Sequence, residues 1–440
     1  MRVRYILLLA VVSLLFNFNA TFGDCSLDKK IVLKSVDLPG NLREDGYWSA
    51  IGAGSDGKVY IALCTEGGGH AQFYIYDSKT GRMRHRADMA KVLGGYAEGI
   101  KTHAKVHSSI VEDLQGNIYF ATGNMGAGPD IVDPTSWEGG RWVKYDPKTD
   151  KFYDLGLVGP HRGIYGMAID KKRSRLLALC REGHFLIHDI STGRTTDKGR
   201  VCIKPQTVAR TVVCDDEGNA YMTFHPDRIA KYDAKSDRVL DLSARMPSDP
   251  TVYPVTGSIY NRYMRSGVWD PISRKMYGVE GATSILFEFD PKAGKDGQTR
   301  ALDKLTPYLA TEVEQKGHYA TLSLTLGMDR KIYYMPIGSM TPADAKRANK
   351  GVEFSKWAGQ GYLLTYDIET GRKECLGRVY TDDGEMVIDK LTGAPSGGAI
   401  TGPDGTIYFC VFVEEKDPSR FGRSFGNLGS RARLLIYKPR

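Results

Sequence analysis

Residues 55–77 read SDGKVYIALCTEGGGHAQFYIYD. An Asp-Gly turn opens the stretch, a strand carrying Tyr60 follows, and a later strand ends in Tyr76-Asp77 before a Thr-Gly turn. Alternation with period two, rich in β-branched and aromatic residues, marks strands, and the D-G turn marks a hairpin. The turn-and-Tyr element recurs as LQGNIY (to Tyr119), KRSRLL (to Leu177), DEGNAY (to Tyr221), ISRKMY (to Tyr277), MDRKIY (to Tyr333) and PDGTIY (to Tyr408). The closing strand recurs as WVKYD (Asp146), FLIHD (Asp189), IAKYD (Asp233), LFEFD (Asp290), LLTYD (Asp367) and LLIYK (Lys438), so each element occurs seven times. A repeat whose unit is a small antiparallel sheet predicts an all-β chain, a seven-bladed β-propeller with four-stranded antiparallel blades. Ile31–Leu38 precedes the first copy and the chain ends just after the last third strand, so a terminal strand is expected to complete the last blade and close the ring. Helix is expected over Ala343–Lys350 and little elsewhere.

Outside the repeat, Arg2 and Arg4, an apolar run from Ile6 to Phe16 and small residues around Ala20–Gly23 have the layout of a secretory signal peptide. The run is too short to span a bilayer, and Asn17 and Asn19 end it, so cleavage is expected near Gly23. Residues 24–440 then form a single propeller domain, undivided by any low-complexity linker, secreted or periplasmic, outside any membrane and acting as a monomer. The chain carries +8, and removing Arg2 and Arg4 leaves +6, a modest excess that favours anionic partners. With no clustered basic run, nucleic acid is not the expected partner; an acidic polysaccharide is. The seven cysteines leave at least one unpaired and include no CxxC, so most read as small buried hydrophobes, with Cys202–Cys214 as one feasible bridge.

Aligning the copies places side chains on a common rim. Twelve residues before each marker lie Trp48, His107, Tyr165, Ala209 beside Arg210, Arg265, Thr321 and Ser396, at the start of the innermost strands. Four residues after it lie Cys64, Gly123, Arg181, His225, Gly281, Ile337 and Phe412, at the ends of the second strands. Antiparallel neighbours bring both sets to one mouth, and the longest insertions, after Gly123, Ile337 and Phe412, extend from the same rim. Trp137, Trp142, Trp357 and Tyr362 are candidates to stack on pyranose faces there. His107, Tyr165, Arg181, Arg210, Arg265, His225 and His318 around one pore offer proton transfer and anion binding. That is the minimum equipment for β-elimination at a uronic acid. An arginine (Arg181 or Arg265) neutralises the carboxylate, one of His107 and Tyr165 removes the C5 proton, and the other protonates the leaving oxygen.

KTHAKVHSSIVEDLQGNIYFATG around His107, GIYGMAID around Tyr165 and REGHFLIHD from Arg181 resemble the propeller-fold polysaccharide lyases, most of all the seven-bladed ulvan lyases and more distantly the oligogalacturonate lyases. The resemblance implies that His107 and Tyr165 are the acid–base pair and that Arg181 neutralises the uronate. Relatives carry a second histidine where this chain has Gly123. The expected substrate is a uronic-acid-containing glycan, sulfated or not, such as ulvan, with Arg210, Arg265, His225, His318, Tyr319 and Trp142 as further substrate contacts. If Tyr165 is not the catalytic group, His225, His318 and Tyr319 are the next candidates.

Each residue also has a plainer role. His107 can be a rim histidine bonded to a neighbouring blade, Tyr165 a packing aromatic, and Arg181 the partner of Glu182. His103, His184 and His188 read as structural, while His161 in the GPHRG loop is near enough to reach the groove. No cofactor is expected. Metal ligands are unknown: a structural zinc or calcium ion is compatible with Cys214, Asp216 and His225, but no dense ligand cluster is present. The aligned pore positions hold no Asp or Glu, which disfavours a calcium lactonase or a paired-carboxylate glycosidase, and the turns lack the Trp of sialidase boxes. The rival reading is a non-enzymatic propeller that binds glycans or proteins at its mouth.

Overall fold

A computed structural model of the chain describes residues 29–39, 49–63, 70–94, 103–123, 138–201, 211–224, 227–247, 263–281, 284–305, 322–336, 361–388, 397–414 and 430–439. Five blades are separate four-stranded antiparallel sheets, spanning 51–88, 111–157, 164–200, 213–245 and 264–304. Blade 6 is built from Thr325–Leu326, Lys331–Tyr334, Tyr362–Asp367 and Lys373–Thr381. Blade 7 takes Ala399–Thr401, Ile407–Glu414 and Ser430–Tyr437 from the C-terminal end and Lys30–Asp37 from the N-terminal end. The expected closure by a terminal strand is present, with an addition. Lys30–Asp37 first runs parallel to the outer strand of blade 6, Lys30 opposite Arg378 through Leu33 opposite Thr381, and only then antiparallel to blade 7, from Lys34 opposite Ile436 to Asp37 opposite Arg433. That switch, with Val387–Ile388 pairing to Val413 and Phe412, fuses blades 6 and 7 into one nine-stranded sheet.

The core is distributed between blades. Seven apolar clusters sit one at each blade-to-blade interface, from the blade 1–2 cluster around Phe73 and Phe120 to the blade 7–1 cluster around Tyr74 and Phe412. This follows from period-two alternation in strands whose two faces both meet a neighbouring sheet: even the solvent-averse second strands such as Lys58–Leu63 are buried along nearly their whole length. The recurring tyrosine is explained by its hydroxyl. In blades 1, 2, 4 and 6 it donates to the aspartate of the preceding turn: Tyr60 to Asp56, Tyr119 to Asp113, Tyr221 to Asp215 and Tyr333 to Asp329, at 2.7–3.1 Å. A large ring fills the interface while its one polar atom is satisfied at the sheet end.

In blades 1–6 the aspartate ending the third strand caps a turn by accepting backbone N–H groups, as Asp77 does from Lys79 and Thr80 and Asp367 from Glu369 and Thr370. The residue that then enters the left-handed region is Gly81, Gly193 or Gly371 in blades 1, 3 and 6, but Asp150 (φ 54°) and Asp237 (φ 55°) in blades 2 and 4. Asp150 accepts from Tyr145 of its own blade and from Arg84 and Arg86 of blade 1, and Asp237 from Tyr232 and from Lys198 of blade 3. At these two turns a carboxylate that ties blades together stands where glycine would be conformationally easier.

Two expectations need correction. The short helix Met89–Leu93, capped by the Asp88 side chain, was not foreseen, while Ala343–Lys350 lies outside the described residues. Cys214 is a free thiol, as are Cys180 and Cys410, so no Cys202–Cys214 bridge forms; Cys375 is disulfide-bonded. Cys180 and Cys410 are buried, as expected of small apolar fillers. Cys214 donates to the carbonyl of Asp215, and burial raises its pKa, which opposes thiolate metal ligation.

Candidate ligand-binding site

The first strands begin at Ile51, Val111, Ile164, Val213, Met264, Thr325 and Ala399, each within four residues of the position counted from the repeat; of those counted positions His107, Tyr165 and Arg265 are among the described residues. In blade 3, Ile164 faces Cys180 and Gly166 faces Leu179, so Tyr165 is the extra residue of a β-bulge. Blade 5 repeats this: Met264 faces Glu280, Ser266 faces Val279, and Arg265 is the bulged residue. A bulge re-aims a side chain and removes a carbonyl from the ladder. In both blades that carbonyl is taken up by the preceding blade. Tyr165 O accepts from His107 Nδ1 at 3.0 Å, and Arg265 O accepts from the Thr211 hydroxyl at 2.9 Å.

Because a carbonyl only accepts, this contact fixes the proton of His107 on Nδ1. The imidazole also lies flat on the Tyr165 ring, with centroids 4.3 Å apart and planes 14° from parallel. His107 is fully buried and Tyr165 is 7 % exposed. The sequence-derived pair is therefore brought together, with its rings in contact and not separated by the width of a sugar ring. Heavy atoms in contact sit about 3.5–4.0 Å apart, so a pyranose between two flanking groups needs roughly twice that spacing.

Lys105 completes the cluster. Its Nζ lies 5.6 Å from the centre of the Tyr165 ring, its backbone bridges to Gly123, and its side chain is buried. Sequence reasoning missed it, although it stands two residues before His107 in an extended segment, where alternate residues share a side. At Gly123 a Cβ would meet Gly163 Cα at 3.4 Å, ordinary contact, so packing does not demand glycine at this position.

Arg181 follows the second strand of blade 3; its N–H donates to Gly163 O at 2.9 Å, which sets it beside the Tyr165 bulge, and it is half-buried. Next to it, burial raises the carboxyl pKa of Glu182 above its ordinary range, and its Oε2 is buried without a hydrogen-bond partner. Farther along this rim Arg162 and His184 both bind Asp197, at 2.7 and 2.9 Å. Arg265 is buried, with Nη1 3.5 Å from the Tyr263 hydroxyl. His103 is buried, bonded to Thr122, and its pKa is lowered to about 4 by burial and then by Arg141.

Trp142 is not a sugar platform. It is wholly buried between blades 2 and 3, donates Nε1 to Thr195 at 3.0 Å and stacks on His188, whose pKa burial lowers to about 4. Tyr362 is likewise buried within its blade. Both were expected at the groove because indole and phenol rings suit sugars, but Trp142 belongs to the core between blades 2 and 3 and the Tyr362 ring is buried as well. Arg210, His225, His318, Tyr319, Trp48, Trp137 and Trp357 lie outside the described residues, as do the insertions after Gly123 and Ile337. Among the described residues no cluster of His, Cys, Asp and Glu has metal-binding geometry.

No family model matches the chain, and no curated protein matches it in sequence. Solved structures do. The chain is similar to the structure described as RRP9 WD40 repeats, with TM-score 0.53 and 9 % identity over 92 % of this chain and 98 % of that one. It is also similar to the β-propeller domain of Cps50 (Swd1) from Myceliophteria thermophila, with TM-score 0.52 and 10 % identity over 93 % and 100 %. A chain of the Mitotic Checkpoint Complex matches with TM-score 0.51 and 12 % identity over 92 % and 94 %. At these identities the likeness is one of fold: the chain is a β-propeller.

Proposed function

We propose that this propeller is a binding module, which holds an acidic glycan at the mouth carrying Tyr165 and Arg181 and does not cleave it. The observation that carries the reading is the His107–Tyr165 contact: a buried imidazole, its Nδ1 committed to the carbonyl of a bulge and its face covered by the phenol. Such a histidine is a strut between blades 2 and 3. A base must come within hydrogen-bond reach of its proton, and stacked rings leave no place for a sugar between them. The excess of +8 and the cations Lys105, Arg162, Arg181 and Arg265, drawn from three blades around one rim, support an anionic ligand. Of these, half-buried Arg181 is the residue assigned to carboxylate or sulfate.

The test offers the purified protein ulvan, pectic, alginate and glycosaminoglycan polymers, with binding measured by calorimetry and cleavage by the ultraviolet absorbance of unsaturated uronates. Saturable binding that weakens with salt, is reduced in Arg181→Ala and produces no absorbance is the expected result. Rising absorbance that Tyr165→Phe abolishes would overturn the reading and restore the elimination mechanism implied by the lyase resemblance. One structural neighbour belongs to a protein assembly, the Mitotic Checkpoint Complex. Absence of binding to every polymer at low salt would therefore direct the search to a protein ligand at the same mouth.

A further inference from the structure

We infer that Glu182 sets the pH range over which the anion site at Arg181 works: protonated, it leaves the positive charge of the site undiminished, and ionised, it offsets that charge and repels an anionic ligand. The inference rests on the binding reading proposed above. Glu182 is the middle residue of the turn 181–183, which joins the second strand of blade 3, Arg175–Cys180, to the third, His184–Asp189. The backbone of this turn is held on both sides. Arg181 N–H donates to Gly163 O and Gly183 N–H to Cys180 O, both at 2.9 Å, while Gly183 O accepts from Val201 N–H at 2.8 Å. Gly183 takes φ 82°, a conformation that closes the turn and suits glycine. The Arg181 and Glu182 side chains therefore leave one short, fixed segment.

The place of this carboxyl suits the acid better than the carboxylate. Its Oε2 is buried and accepts no hydrogen bond, whereas an ionised oxygen taken out of water needs donors. Burial raises its pKa; its own backbone N–H, the charge of Arg181, the Cys180 thiol and the charge of Arg162 lower it without reversing the shift. The groups around it come from four elements. Arg162, in the loop before the first strand of blade 3, and His184, at the start of the third strand, both hold Asp197 of the fourth, at 2.7 and 2.9 Å. The thiol of Cys180, at the end of the second strand, donates to His184 O, and burial pushes its pKa up to about 12, so it stays neutral at ordinary pH. Asp197 is thus matched by two partners, while Glu182 Oε2 is matched by none.

A carboxyl held above its ordinary range changes charge at a pH where exposed glutamates are already ionised. Below its folded pKa the turn presents Arg181 beside a neutral acid. Above it the turn carries one positive and one negative charge, next to the position assigned to the ligand's carboxylate or sulfate. Binding is therefore tightest at low pH and weakens as pH rises through the folded pKa of Glu182. Linkage demands the converse: an anion bound at Arg181 favours the neutral acid, so binding takes up a proton. The buried Oε2 leaves Glu182 to act through the field at Arg181 and not by touching the ligand, and about tenfold in affinity lies within the usual range of such coupling. The same shift acts on the fold. A raised carboxyl pKa makes the folded chain bind more protons than the unfolded one, so this contribution to stability is lost as pH rises through the folded pKa.

The experiment titrates ulvan and dextran sulfate, whose charges stay fixed across the range used, into the full chain and into Glu182→Gln at low salt. Calorimetry at about pH 5 and about pH 8, in buffers of different ionisation enthalpy, reads both affinity and proton uptake. The parent should bind about tenfold more tightly at the lower pH and take up a proton on binding. Glu182→Gln, neutral at every pH, should bind at both pH values with the low-pH affinity of the parent. Without ligand, the Tm of the variant relative to the parent should rise from the lower pH to the higher, because only the parent has a buried acid to ionise. An affinity of the parent that is equal at both pH values, a slope that persists in Glu182→Gln and so belongs to His161 or His184, or a Tm difference that does not change with pH would overturn the inference and leave the binding reading standing. Absence of binding by both proteins at both pH values would overturn the two together.

Discussion

If His107 is a strut, replacing it should cost stability, and its two contacts with Tyr165 set a part of that cost. His107→Ala leaves the buried carbonyl of Tyr165 without its donor, a loss of about 1–3 kcal/mol, and removes an aromatic pair contributing about 0.5–1.5 kcal/mol. The expected destabilisation is therefore roughly 2–4 kcal/mol, large for one residue. Tyr165→Phe keeps the ring and the carbonyl, and should leave the His107 contact and most of the stability intact. The assay is thermal and urea unfolding of the parent and both variants, with glycan binding measured well below the melting point. His107→Ala should unfold earlier yet, where still folded, bind with near-parental affinity. A His107→Ala protein of parental stability that has lost binding, or lost turnover on a cleaved polymer, would refute the strut and return His107 to the chemistry.

The closing strand supplies a second prediction. Arg433 is buried and meets Asp37 of the N-terminal strand together with Asp383 and Glu385, so Arg433→Met takes the cation from Asp383 and leaves Asp37 and Glu385 to Arg431 alone; it should destabilise by about 1–3 kcal/mol, with hydrogen exchange rising first in residues 30–37. Unchanged exchange there would show that the ion cluster does not hold the closure. At the blade 1–2 tie, Asp150→Gly loses the carboxylate but relieves the left-handed backbone, whereas Asp150→Ala loses both, so the alanine variant should be less stable by about 1 kcal/mol in matched denaturation curves. Equal stability would mean that φ at this turn relaxes. Stability should also fall with acid in two stages. His103 and His188 have folded pKa values lowered to about 4, so the unfolded chain binds more protons between about pH 6.5 and 4 and stability is lost as pH falls through that window. Below about pH 4 the loss continues as Asp233, held at about 2 by hydrogen bonds from Ser236, takes up its proton. His188→Phe keeps the stack on Trp142 and should flatten the first stage in a plot of Tm against pH; an unchanged slope would exclude His188 as a contributor.

The parts of this molecule that repeat were legible and the parts that occur once were not, for a physical reason. Tyr60, Tyr119, Tyr221 and Tyr333 meet the same need in four blades, a large ring at a sheet interface with its hydroxyl on a turn aspartate, so the pattern recurs at a spacing that can be counted. The same counting sets Tyr165 and Arg265 at equivalent positions of their blades, and each is the extra residue of the same bulge. It does not reveal what each bulge leaves behind, a carbonyl needing a donor, and that need gives His107 and Thr211 their partners. A histidine written beside a tyrosine reads equally well as an acid–base pair or as a strut, because residue type reports what a side chain can do and only its contacts report what it is engaged in. Trp142 makes the same point: its position in WVKYD is that of an ordinary third strand, and period two assigns it to a face without saying that a neighbouring blade, with Thr195 and His188, covers that face. Where both faces of a strand are buried, as in Lys58–Leu63 and Arg175–Cys180, alternation no longer separates core from ligand surface. On the proposed binding reading, the ligand-facing residues lie beyond the strand ends, where Arg181 stands and where the inter-blade packing no longer decides the side chain.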